Sequence, residues 1–387
     1  MPGDESSAPA EAALSRDAHL FAPGPKRILA LDGGGVRGIV ALAFLERFER
    51  LLAEAAGRKV KLCEYFDLIG GTSTGAIIAS GLALGFEVQE IRDFYMRLAP
   101  KVFRPPFLPL PGWSAIFDAE KLAQELSGVL GDRTLDSPDL LTGFAVTLKR
   151  LDTGSAWILM NNPRSKFWET PEDKSHIGNR HYLLSKIVRA STAAPHYFDP
   201  QEIEIVEGEP PGLFVDGGLT PHNTPALALW LAVIIPAYGL SWPSGPDKLS
   251  VYSVGAGTFR EQASASSLIK APSASLALRA LRQQIGDGSQ LALTLLTLFG
   301  RSPTPWVINS EIGDLGQVQG PCAPLYTFYR YDVRLEIAAI KANFDVDVSE
   351  KELSQLRRLD DASSMPQLYE FARKAAEAQV KAEHFRA

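Results

Sequence analysis

Arg27-Ile28-Leu29-Ala30-Leu31-Asp32-Gly33-Gly34-Gly35-Val36-Arg37-Gly38 is the stretch that decides the fold. Arg27 to Leu31 is a short apolar run that stops at an aspartate and three glycines. From Gly38 to Ala53 apolar residues return at helical spacing, at Ile39, Leu42, Leu45, Phe48 and Leu52. An unbroken apolar run suits a buried strand, and the change of period across the glycines makes a strand, loop, helix unit. A second unit follows. Tyr65 to Ile69 reads as its strand and Ala76 to Leu84 as its helix, with Gly71-Thr72-Ser73-Thr74-Gly75 between them.

Further along, Phe144 to Leu148 and Trp157 to Met160 read as neighbouring strands joined by a turn at 152–155. Leu213 to Val215 and Leu249 to Val254 add two more. Strands alternating with helices from 26 to about 260 predict an α/β three-layer sandwich with a central, mostly parallel sheet. Beyond 270 the pattern turns helical, from Ser273 to Phe299 and from Ser349 to His384. Residues 1–22 are rich in Ala, Ser, Pro and acids without apolar periodicity, and read as a disordered leader. Residues 23–387 then form one domain whose C-terminal part, about 270–387, is helical.

Composition narrows the function classes. Among 387 residues, 39 are Lys or Arg and 45 Asp or Glu, a net charge of −6 that offers no basic field for nucleic acid. Cys63 and Cys322 make neither a metal motif nor a disulfide framework and read as buried thiols. There is no HExxH, cysteine cluster or calcium loop, so neither a metal nor another cofactor is expected. Asp4 and Glu5 stand where a secretory signal carries positive charge, and no apolar core follows, so the expected location is the cytosol. One oddity is a run from Gly217 to Pro246 without Asp, Glu, Lys or Arg.

Three motifs sit at strand ends. Asp32 to Gly38 places bare backbone amides before a helix, a setting that holds anions. Its glycines also satisfy the dinucleotide pattern G-x-G-x-x-G, but that site wants an acid at the end of the next strand. That strand ends in Gly70-Gly71, leaving only Glu54, inside a helix. Gly71 to Gly75 is G-x-S-x-G between strand and helix, the context of a nucleophile elbow, with Ser73 at the strained position and glycines allowing close approach. Val215-Asp216-Gly217-Gly218 ends a further apolar strand. In an open α/β sheet functional groups gather at the carboxyl ends of strands, so one rim would hold a nucleophile, a carboxylate and free amides.

This order of motifs resembles the patatin-like phospholipases, over roughly residues 26–365. Supporting matches are Arg189-Ala190-Ser191-Thr192-Ala193-Ala194-Pro195-His196-Tyr197-Phe198, Ser253-Val254-Gly255-Ala256-Gly257 and Leu359-Asp360-Asp361-Ala362-Ser363. The resemblance implies a lipid acyl hydrolase of phospholipase A type, working through an acyl-serine intermediate and a Ser-Asp dyad. By that likeness Ser73 is the nucleophile and Asp216 the general base. Gly33, Gly34 and Gly35, with Arg37 beside them, form the oxyanion hole, and Gly71, Thr74, Gly75 and Gly217 support the site. The chemistry is compatible, because a hydroxyl needs a base within reach and burial raises a carboxylate toward neutral pKa. Arg37 either meets lipid phosphate or braces its loop.

Two other readings stay open: an α/β-hydrolase with a Ser-His-Asp triad, and a lipid-binding or regulatory protein without turnover. For the triad only His222 and His384 lie downstream of Asp216, and His384 reads as solvated, while His176, His181 and His196 precede it. The expected partner is a phospholipid or other acyl lipid at a membrane or micelle surface. Contact candidates are the charge-free loop Pro105 to Phe117, read as packed or as an apolar flap, and Ala226 to Ile235, too short to span a bilayer and read as core or acyl wall. Leu291 to Phe299 poses the same choice.

Overall fold

Ile28 and Ala30 of the first strand enter one hydrophobic core, and Leu29 and Leu31 enter another. Side chains alternate across a strand, so this division makes the strand the middle of three layers. The computed structural model describes residues 15–103, 117–261 and 263–385. In chain order the elements begin with α1 (Arg16–Phe21), β1 (Lys26–Leu31), α2 (Ile39–Ala56), α3 (Leu62–Tyr65), β2 (Leu68–Thr72), α4 (Thr74–Ala83), α5 (Val88–Val102) and α6 (Ala119–Leu130). Then come β3 (Gly143–Arg150), β4 (Ala156–Met160), α7 (Leu184–Ser191), β5 (Gln201–Ile203), β6 (Gly212–Asp216), α8 (Ala226–Ile234) and β7 (Leu249–Val254). The last are α9 (Ala265–Ile269), α10 (Ser273–Phe299), β8 (Arg301–Thr304), β9 (Thr327–Tyr331), α11 (Ile337–Phe344), α12 (Glu350–Leu356) and α13 (Met365–Gln379).

The nine strands form one sheet in the order β5-β6-β3-β2-β1-β7-β9-β8, with β4 on the other edge of β3. From β3 to β8 along this path neighbours are parallel, while β4, β5 and β6 run antiparallel to their partners. Apolar side chains of α2, α4, α5, α7 and α13 fill one core, and those of α1, α8 and α10 the other. This is the three-layer α/β sandwich with a mostly parallel sheet.

Several expectations need correction. The leader boundary at 22 falls within ordered chain: Ser15 Oγ caps α1 by accepting from Ala18 N–H, Leu20 is buried, and its carbonyl accepts from Trp242 Nε1 at 2.9 Å. Residues 1–14 lie outside the described chain. The second strand starts at Leu68, because Leu62–Tyr65 winds into one helical turn and Phe66 packs edge-on against Tyr252 and tilted against Phe48. The helical C-terminal part is present, but it also contains β8 and β9, and β9 pairs with the central β7. Cys63 is buried while Cys322 is exposed. The loop read at Pro105 to Phe117 lies outside the described residues except for buried Phe117.

The charge-free run divides by its structure. Its helix, α8, buries Ala226, Ala228, Leu229, Trp230, Ala232 and Val233 in the core on the α1 and α10 side. Leu229 lies so close to β2 that a Cβ on Gly70 would fall 2.7 Å from it. The helix is therefore core. In the Leu291 to Phe299 stretch, Leu293 and Leu296 are buried in the same layer, whereas Leu291 is exposed. No helix among the described residues is long and apolar enough to cross a membrane.

Candidate active site

Ser73 sits between the last residue of β2 and the first of α4 with φ 55° and ψ −126°. Positive φ is strained for any residue with a Cβ, and such strain persists only where the surroundings enforce it. Here the enforcement is close backbone packing. A Cβ on Gly71 would fall 2.2 Å from the carbonyl carbon of Gly75, and one on Gly75 would fall 2.3 Å from the carbonyl oxygen of Leu31. The four-residue spacing of these glycines lets the strand end, the helix start and the end of β1 press together. Ser191 holds the turn from below, accepting the Ser73 N–H at 2.9 Å and donating to the Thr147 carbonyl at 2.8 Å.

Asp216 ends β6 and is 6% exposed. Its backbone N–H donates to Ala193 O at 3.1 Å, and its Oδ1 accepts the Gly218 N–H at 2.7 Å. A Cβ on Gly217 would fall 2.4 Å from Thr147 O, so the glycine lets this chain end lie flush on β3. Ser73 stands beside the Asp216 carboxyl, and both line one cavity. Burial raises the Asp216 pKa to about 6, against the opposing pull of the neighbouring Ser73 hydroxyl, the Gly218 N–H and the Arg189 charge. Arg189, itself 3% exposed, comes from the same segment as Ser191.

The glycine loop offers its amides unequally. Gly33 N–H donates to Asn223 O at 3.0 Å, so it is spent bracing the segment after Asp216. Gly34 N–H meets Thr74 Oγ1 at 3.3 Å, a long contact. Gly35, at φ 55°, opens a short 3₁₀ turn, and among the described residues its N–H has no acceptor outside that turn. Leu359 O closes over this loop and accepts the Val36 N–H at 2.8 Å. A Cβ on Gly34 would fall 2.3 Å from the Ala256 Cβ. The later segments at 253–257 and 359–363 thus pack on the loop. Arg37 Nη1 donates to Gly257 O at 2.6 Å, and its guanidinium lies 5.0 Å from the Phe259 ring centre. Burial lowers its pKa to about 10.

Beneath the loop Asp32 is buried, accepting from Thr224 Oγ1 at 2.9 Å and from Arg330 Nη2 at 2.8 Å. Burial pushes its pKa up to about 6, with Arg330 pulling it back. Arg330 also pairs with Asp332 at 2.7 Å, so β9 delivers an ion cluster under the loop.

A cavity of about 920 Å³, counted out to its open mouth, has Ser73, Asp216 and Gly33 to Gly35 at one end. Its walls are apolar: Ile77 of α4, Leu98 and Val102 of α5, Leu122 of α6, and Phe198. No residue of α8 or of the Leu291 to Phe299 stretch lines it, which removes both as acyl walls. Sequence reading had not pointed to α5 and α6.

Neither downstream histidine joins the pair. His222 lines up through its backbone, its carbonyl accepting from Thr72 Oγ1 at 2.6 Å, while its Nδ1 is buried without a partner and burial lowers its pKa. His384, expected to be solvated, is 6% exposed, with Nδ1 2.8 Å from the Tyr331 hydroxyl. The apolar and aromatic residues around Tyr329 and Tyr331 draw it in.

A serine on a strand-to-helix elbow, facing a buried aspartate at the rim of a mostly parallel sheet, defines the class. The family model described as Patatin-like phospholipase matches residues 29–230. The chain belongs to the patatin-like phospholipase family. It is 30% identical over 214 residues to a "cGAMP-activated phospholipase" of Vibrio cholerae, covering 52% of this chain and 56% of that protein. It is 30% identical over 264 residues to "Patatin-like protein 1" of Arabidopsis thaliana, covering 61% and 59%. It is 32% identical over 245 residues to a "Calcium-independent phospholipase A2-gamma" of Oryctolagus cuniculus, covering 60% and 28%. The matches to the first two span little more than half of those relatives' length.

Proposed function

We propose that the chain is a lipid acyl hydrolase of phospholipase A type that cleaves carboxylic esters of phospholipids through an acyl-Ser73 intermediate. Asp216 takes the Ser73 hydroxyl proton as the oxygen attacks the ester carbonyl. It returns that proton to the departing lysolipid alcohol, then activates the water that releases the fatty acid from Ser73. The Gly34 and Gly35 amides receive the oxyanion, and Gly33 braces them, because its own N–H is already used. The acyl chain lies along α5 and α6, and the protein meets the bilayer peripherally from the cytosol.

The observation that carries this reading is Ser73, on its strained elbow, beside a buried carboxyl whose burial brings its pKa to about 6, both lining one apolar cavity. A base near neutrality is still ionised at pH 7 and strong enough to accept a proton. Purified protein is assayed on phospholipid in detergent micelles, with covalent labelling by a fluorophosphonate. The expected result is fatty-acid release and labelling, both lost in Ser73→Ala. Full release by Ser73→Ala overturns the reading, and folded protein that neither labels nor releases fatty acid favours a binding role without turnover.

A further inference from the structure

A second cavity, of about 1380 Å³ counted to its mouth, adjoins the apolar one, and Gly33, Arg37, Asn223 and Ile285 line both. Its character differs. Four residues of its wall each carry one buried side-chain atom without a hydrogen-bond partner among the described residues: Asp32 Oδ1, Arg37 Nε, Arg330 Nε and Arg334 Nη2. A buried donor without an acceptor costs on the order of 1–3 kcal/mol, so the three guanidinium groups that line this wall hold unspent capacity for acceptor oxygens. Arg330 is already matched by Asp32 and Asp332, but Arg37 and Arg334 make no ion pair among the described residues. Arg334 is instead held 4.9 Å from the Trp306 ring centre, which fixes its plane. On the same wall Asp287 and Glu336 make no ion pair among the described residues either, nor do Arg260 and Arg282, which contact the hydroxyls of Ser310 and Tyr197. The wall thus presents unmatched charges of both signs beside the residues that face the ester.

We propose that this cavity receives the headgroup of the lipid, and that it suits a zwitterionic phosphodiester with a primary ammonium, of the phosphoethanolamine kind. This rests on the acyl-hydrolase reading above. With the acyl chain in the apolar cavity and the ester carbonyl at Ser73, the glycerol phosphate reaches the shared wall at Arg37 and Asn223. The phosphate oxygens take the Arg37 and Arg334 donors, and the ammonium faces Glu336 and Asp287. A headgroup with the same phosphate and a neutral terminal group would satisfy the arginines but leave the two carboxylates without a cation.

The test compares phosphatidylethanolamine and phosphatidylglycerol of identical acyl chains in the same neutral detergent micelles, with a short neutral acyl ester as reference. In the unmodified protein phosphatidylethanolamine is expected to exceed phosphatidylglycerol in kcat/KM by about tenfold, the effect of one well-placed charged contact. Arg334→Gln should lower the ratio of phosphatidylethanolamine to neutral-ester kcat/KM by about tenfold. Glu336→Gln should remove the preference between headgroups. Ratios unchanged in both folded variants overturn the proposal. If the unmodified protein cleaves neither lipid nor ester, it is the hydrolase reading that fails. The cavity is then read by calorimetry on Ser73→Ala with glycerophosphoethanolamine and inorganic phosphate. Tighter binding of glycerophosphoethanolamine, weakened by Arg334→Gln, supports the headgroup site. Equal binding of the two probes, or of neither, overturns it.

Discussion

Thr72 and Asp216 take consecutive positions along one edge of β3, Thr72 opposite Thr147 and Asp216 opposite Leu148. β2 runs parallel to β3 and β6 antiparallel, so the two strands meet head to head and their carboxyl ends converge. Ser73, one residue past Thr72, and the carboxyl of Asp216 are therefore brought together by register. β4 fills the opposite edge of β3 over the same residues, which leaves β6 no other place. The pair is set at strand ends, one within β6 and one directly past β2, and that rigidity suits a site whose two groups must keep a fixed separation.

The rate should report the state of Asp216. The base works ionised, so kcat/KM is expected to rise with pH, about tenfold per unit below the carboxyl pKa of about 6, and to level off above it. Asp32 is raised to about 6 as well, but it contacts Thr224 and Arg330 rather than Ser73. His222 is a second titratable candidate, its pKa lowered from the usual imidazole value by burial. The profile of His222→Gln therefore decides the owner: the acidic limb remains in that variant if Asp216 is the base and disappears if the histidine is.

Removing the charge of Asp216 should stabilise the fold while destroying turnover. The carboxyl pKa is raised from 3.8 to about 6, so the native state binds the proton more tightly than the unfolded chain. Stability therefore falls as pH rises from about 4 to about 6, and at pH 7 the full cost of burying the charge is present. That gap corresponds to roughly 3 kcal/mol. Asn keeps the shape and an oxygen for the Gly218 N–H. Urea denaturation of Asp216→Asn at pH 7 is expected to show a gain of up to about 3 kcal/mol that vanishes near pH 4. A loss at pH 7 would contradict the burial argument.

Ser73→Gly separates strain from chemistry. Serine at φ 55° and ψ −126° costs about 1–3 kcal/mol that glycine does not bear, and the greater freedom of glycine in the unfolded chain returns about 0.5–1 kcal/mol. A net gain of about 1 kcal/mol is expected for Ser73→Gly, with little change for Ser73→Ala, which keeps a Cβ. Parallel denaturant melts check it; equal midpoints for the two variants would mean the elbow stores no strain.

The parts of this site legible in the sequence are those that announce themselves locally. Gly71 meets Gly75 across its own turn, so motif and turn coincide there, while the glycines at 33–35 and 217 stand in recognisable runs although the contacts that require them lie far along the chain. What stayed hidden acts across long separations or through backbone atoms. Ser191 holds Ser73 from 118 positions away, and Asn223 and Leu359 contribute carbonyls, which carry no side-chain signature. β9, Thr327–Tyr331, mixes polar and aromatic residues in a wholly buried strand, so it lacks the apolar run that identified β1. Arg330 reads as surface until Asp32 and Asp332 are seen around it. The short helix at Arg16–Phe21 is fixed by its docking at Leu20 rather than by propensity.

That concealed arginine supports the glycine loop, and its loss should be costly in a pH-dependent way. Arg330 is 3% exposed and bridges Asp32 and Asp332, which are 6% and 1% exposed. Arg330→Met has suitable bulk but leaves two carboxylates facing each other in a buried site. Breaking one member of such a cluster typically costs 3–5 kcal/mol. With the cation gone, burial and mutual repulsion raise the Asp32 pKa beyond about 6, its value beside the arginine. The folded variant then takes up protons that the unfolded chain does not, so its deficit relative to the parent should be greatest at pH 7 to 8 and shrink as the solution is acidified toward pH 5. Asp32 leads directly into Gly33, so kcat should fall with stability at neutral pH and recover least where the deficit is largest. Denaturant melts of parent and variant at pH 5, 6, 7 and 8 measure the effect, and a deficit that is constant or grows toward acid pH would show that the cluster does not carry its charges as described.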